Sequence, residues 1–73
     1  MFSLIGNELL VSVPARLFGM PFSQVVKAMD DCIIKLIPGL TGKSINVVGN
    51  CPSAFRMYLK RRLREVCNQL TFQ

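Results

Sequence analysis

The sequence predicts a small α+β domain in the order (β)βαβα, with two amphipathic helices packed on one face of a two- or three-stranded sheet. Three observations predict it. The chain has 73 residues, 51% hydrophobic and 18% charged, which suits one small folded domain over residues 1–73 and excludes a disordered, solvating chain. Residues 8–13 and 43–48 alternate in the manner of strands. Residues 22–37 and 52–69 repeat their apolar positions at helical spacing, with Pro and Gly at the breaks.

Residues 1–5 fit a short strand, and Gly6-Asn7 fits a two-residue hairpin turn, because Gly tolerates the positive φ such turns demand. In the strand expected at 8–13, Leu9, Val11 and Val13 share one face while Leu10 and Ser12 share the other. Pro14 ends it, and a connector follows with Gly19 and Pro21 as punctuation. The first helix is expected at about 22–37, where Phe22, Val25, Val26, Met29, Ile33, Leu36 and Ile37 form one stripe. Pro38-Gly39 is the expected stop. In the next strand Ile45 and Val47 share a face, and Gly49-Asn50 closes it. The last helix is expected from Pro52, a residue suited to a first helical position, to about residue 69. Its stripe is Phe55, Leu59, Leu63, Val66 and Leu70, with Arg56, Lys60, Arg61 and Arg64 opposite.

Much chemistry is excluded by residue inventory. There is no His, and Cys32, Cys51 and Cys67 show no C-x-x-C spacing, so a zinc site lacks its ligands and no metal or cofactor is expected. An odd thiol count with no basic leader implies a reduced, cytoplasmic protein without a signal peptide, and no apolar stretch reaches the ~20 residues of a membrane span. The segment Gly42-Lys43-Ser44 resembles the end of a phosphate loop. Ile37 stands where that loop needs Gly, and the order helix–turn–strand is the reverse of what cradles phosphate, so a plain turn is the reading. Asp30 and Asp31 are adjacent on a helix and diverge, while Glu8 and Glu65 stand alone, so no catalytic pair is present and the chain is expected not to be an enzyme.

The formal charge is +5, from nine Lys and Arg against four Asp and Glu, and the run Lys60-Arg-Arg-Leu-Arg64 concentrates it. A basic helical face can be no more than a solvated one. It can also meet an acidic protein, or neutralise phosphates with salt-sensitive affinity. Two misplaced apolar residues favour a protein. Met57 lies amid the basic face, and Ile34 points away from the first helix's stripe. Ala28 and Cys32 broaden that stripe on its other side. Domains below roughly 70–80 residues usually gain stability from staples or partners, which favours a homo-oligomer. The expected partner-binding residues are therefore Arg56, Met57, Lys60, Arg61 and Arg64, and the expected self-association residues are Ile34, Ala28 and Cys32.

The stretches E-L-L-V-S-V and S-I-N-V-V-G, the latter running into a helix at Cys51-Pro52, resemble the DinI-like family of small SOS-response and prophage regulators. The likeness spans about residues 8–70 and lies in hydrophobic pattern and element order. In the family's namesake the matching helix is strongly acidic, whereas here it carries Arg56, Lys60, Arg61, Arg62 and Arg64, so recombinase modulation through acidic mimicry does not carry over. Other small prophage proteins of this kind are antirepressors. The resemblance thus implies a regulator that binds a repressor-type protein. The alternative is a small DNA- or RNA-binding protein using the C-terminal helix, and a third reading is a structural subunit of a larger assembly.

Overall fold

The computed structural model describes residues 1–73. The chain begins with a hairpin, β1 (Phe2–Ile5) and β2 (Glu8–Val11), paired antiparallel with Ile5 opposite Glu8. Gly6 at the turn has φ 60 and no other residue type adopts positive φ. Of the two twist-matched hairpin turns, only the one with Gly at its first central position fits those angles.

A 3-10 turn at Ala15–Gly19 leads to α1 (Phe22–Ile33), a short α2 (Ile37–Leu40) and then β3 (Ser44–Gly49). Next come α3 (Ser53–Leu63) and β4 (Gln69–Phe72). The sheet order is β1-β2-β3-β4, with β3 parallel to both β2 and β4. α1 therefore crosses from β2 to β3, and α3 from β3 to β4. One cluster of 14 buried residues joins Phe2, Leu9, Val11, Ile45 and Val47 from one sheet face to Val25, Met29 and Ile33 of α1 and Phe55, Leu59 and Leu63 of α3. Both helices thus cover the same face, and the other face is open, carrying Ser3, Ile5, Glu8, Leu10 and Thr71 to solvent.

The α+β class and the two helices on one face are as the sequence predicts. Three details differ. The sheet has four strands, because the C-terminal residues form β4 and do not extend the last helix. Leu70 lies seven residues beyond Leu63, where a helix would still place it on the apolar stripe, yet Leu70 and Phe72 instead alternate with exposed Gln69 and Thr71. The first helix ends at Ile33, not residue 37. Pro38 has no N–H, and its ring would strike the carbonyl of Ile34 in a continuous helix, so the chain turns and restarts as α2, with Pro38 inside its first turn. Pro52 is the residue before α3, and its carbonyl accepts the Arg56 N–H at 3.0 Å.

Candidate functional site

The surface of interest is the trough between α1 and α3. α1 turns Phe22, Val26 and Asp30 toward α3, spaced four apart so that they share one edge of the helix. α3 answers with Ala54, Met57, Tyr58, Arg61 and Arg62. Together they line a hollow of about 510 Å3. Phe22 is 60% exposed and Met57 57% exposed. The trough runs on into a smaller apolar hollow of about 270 Å3, which shares Phe22 and Ala54 and reaches Phe18, itself 75% exposed. An apolar strip thus passes from Phe18 past Phe22 to Met57.

Its wall is held by one polar cluster. The Tyr58 hydroxyl donates a hydrogen bond to Oδ1 of Asp30, and Arg62 Nε lies 3.7 Å from the same oxygen. Burial of the ring is the main reason the Tyr58 phenol is pushed above its ordinary value, and the hydrogen bond to Asp30 and its charge add to this, while Arg62 opposes it. An ion pair this exposed contributes roughly 0–1 kcal/mol, so the cluster serves to fix three side chains more than to hold the fold.

All five of the expected partner-binding residues are exposed on α3 or at its end. They do not form one patch. Met57 and Arg61 face the trough. Lys60, Arg61 and Arg64 line a separate basic hollow of about 400 Å3 with Cys67 and the start of β4, and Lys60 Nζ stands 5.5 Å from the ring centre of Phe72. Arg56 turns toward Cys51, whose thiol burial pushes up and Arg56 pulls back down. Arg61 therefore joins the two hollows. Arg62–Asp30 is the one ion pair in the chain, so Arg56, Lys60, Arg61 and Arg64 are cations without carboxylate partners.

The expected self-association residues separate as well. Ile34 is exposed just beyond α1, whereas Ala28 and Cys32 are half-buried against the core. At about 100° per residue, Ile34 lies well over 100° around the helix from either. Phe22, Tyr58, Asp30 and Phe18 are the trough residues that sequence reasoning assigned elsewhere or passed over. Phe22 counted as core, and only its position at the first turn of α1, beyond the end of the sheet-facing run, marks it as free.

Cys32, Cys51 and Cys67 are free thiols, and burial raises the Cys67 thiol above its ordinary value. No helix is long and apolar enough to cross a membrane. No protein-family model, curated protein or solved structure matches the chain.

Proposed function

We propose that the chain is a small, non-enzymatic regulatory protein of the cytoplasm that binds and modulates another regulatory protein, acting as an antirepressor on a phage or bacterial repressor. The observation that carries this reading is the trough, where an exposed apolar strip lies beside the unpaired Arg61, with Arg64 in the adjoining basic hollow. Its occupant is an acidic amphipathic segment of the partner, with apolar side chains on Phe22, Val26 and Met57 and carboxylates toward Arg61 and Arg64. Fully burying a side chain like Phe or Met is worth about 1.5–3 kcal/mol, so covering the exposed part of Phe22 and Met57 offers about 1–2 kcal/mol each. Buried apolar anchors ringed by charge are the usual energetic centre of such an interface. The resemblance to DinI-like regulators is in keeping with this role.

A second reading has an observation of its own. Four cations on α3 and at its end, lacking carboxylate partners, suit a phosphate backbone, as in a small DNA- or RNA-binding protein. The test combines two measurements. In the first, the protein is titrated into a repressor bound to its fluorescently labelled operator. Release of the operator by native protein, abolished by Met57→Glu, supports the protein-binding reading. In the second, a labelled duplex of arbitrary sequence is mixed with the protein alone at low and near-physiological salt. Binding that weakens steeply with salt, at about 0.9 log units per log unit for each phosphate met, and that Met57→Glu leaves intact, overturns it in favour of nucleic acid.

A further inference from the structure

The sheet has two free edges, and they differ. β4 lies beside the basic helix, with Lys60 over Phe72 and Lys60, Arg61 and Arg64 around its start. β1, Phe-Ser-Leu-Ile, carries no charge, no proline and no bulge, and residues 1–14 hold a single charged side chain, Glu8. Charged residues, prolines and bulges are the devices by which proteins blunt an edge strand, and β1 has none of them.

The hairpin register settles which backbone groups this edge offers. In a two-residue hairpin the pair flanking the turn, Ile5 and Glu8, exchanges hydrogen bonds, and bonded pairs then alternate. Ser3 with Leu10 is the next bonded pair, and the Ser12 N–H to Met1 carbonyl bond at 2.9 Å continues the pattern. Phe2 and Leu4 therefore point their N–H and C=O groups away from β2, into the free edge.

We infer that β1 is a self-pairing edge, at which two copies of this chain join antiparallel about a twofold axis through Ser3. Setting Phe2 opposite Leu4 of the second copy uses every free group of both edges, whereas any symmetric pairing centred on Phe2 or Leu4 uses half as many. The result is one continuous sheet containing both four-stranded sheets, with all helices on one face.

Charge selects β1 over β4. Strands lie about 4.8 Å apart. α3 crosses between β3 and β4, so pairing at β1 keeps the two basic helices about 30 Å apart, far beyond the ~8 Å screening length at physiological salt. Pairing at β4 would bring those helices to about 10 Å, with five cations on each side and no acid among them from residue 53 to 64.

The test uses the full chain. Sedimentation equilibrium of native protein is expected to move from 8.2 kDa toward twice that mass as concentration rises. Ser3→Lys is expected to hold it at the lower mass, because Ser3 faces its own copy across the axis and its side chain is exposed in the monomer. Oxidation of Ser3→Cys is expected to give a covalent dimer that native protein does not give, since facing residues in such a pair have Cα atoms about 4.5 Å apart, within disulfide reach. Ile5→Cys lies on the same open face but about 13 Å from its copy in this register, and is expected not to cross-link. A monomer at every concentration, a dimer indifferent to Ser3→Lys, or equal cross-linking by Ile5→Cys would each overturn the inference.

Discussion

Tyr58 is the one tyrosine in a chain without tryptophan, so tyrosinate absorbance reports a single group in the trough wall. Burial, the hydrogen bond to Asp30 and the Asp30 charge together hold its phenol proton above the ordinary value of 10.0. Native protein is expected to ionise Tyr58 only well above that pH. Asp30→Asn keeps the shape and an accepting oxygen and removes the charge. Its midpoint is expected to fall toward 10.0 without reaching it, because burial is the largest cause and is unchanged. Tyr58→Phe removes the hydrogen bond itself. A bond to a charged group is worth about 1.5–3 kcal/mol when shielded from water. The Asp30 side chain is 47% exposed, so water recovers much of that, and about 1 kcal/mol is expected. In a domain of this size that is about 4–8 °C in Tm. The fold holds the phenol proton more tightly than the unfolded chain does. The contribution is therefore complete below pH 10.0 and is lost as pH rises through the raised native value. A native midpoint at the ordinary value, or equal midpoints in native protein and Asp30→Asn, would show that Asp30 does not hold Tyr58 in solution and that the trough wall is not fixed in this way.

Three further outcomes are expected. Leu59→Ala empties a fully buried position and should cost about 2–5 kcal/mol, a large part of the roughly 4–11 kcal/mol a chain this long has, as an unchanged urea midpoint would disprove. Gly49→Ala would bring a Cβ to 2.5 Å from the Val11 carbonyl oxygen at φ +96, so it should destabilise by more than Gly6→Ala, where φ is +60 and no atom lies within 4 Å; equal thermal shifts would argue against the β2–β3 register. Reversing Arg61 and Arg64 to Glu should leave Tm within a few degrees, since neither pairs with a carboxylate, while abolishing operator release; release that persists removes both residues from the docking face.

The hairpin, the α1 core positions and β3 were legible because each rests on a local signal. Gly6 supplies the turn, the Val25–Met29–Ile33 spacing supplies the buried stripe, and Ile45 and Val47 supply a strand face. What escaped depends on distant groups. Phe22 belongs to the apolar stripe by angle, and its place in the first turn of α1 leaves it free because α3 does not cover it. Asp30 reads as a solvated charge until Tyr58 and Arg62, far along the sequence, are placed beside it. β4 was misread because Leu70 satisfies a helical repeat, while the register that claims it, Ile45 opposite Leu70, is a pairing across more than twenty residues. The basic face was legible as residues but not as surfaces, since its division into two hollows follows from where β4 runs.

That fourth strand also separates the two proposed surfaces. With β4 at the far side of the sheet, α3 sits away from β1, so a pair joined at β1 leaves both troughs free and on one face. A partner that is itself a twofold dimer could then be held at two points. The second engagement is intramolecular, and its gain comes from effective concentration with no new contact. Ser3→Lys, which touches no trough residue, should therefore weaken binding to a dimeric repressor while leaving binding to a monomeric fragment of that repressor unchanged. Titrating the native chain and Ser3→Lys against both forms measures this. Equal weakening toward both would mean that the substitution acts on the trough through the fold. No weakening toward either would mean that each trough binds alone, and that pairing at β1 has no part in holding the partner.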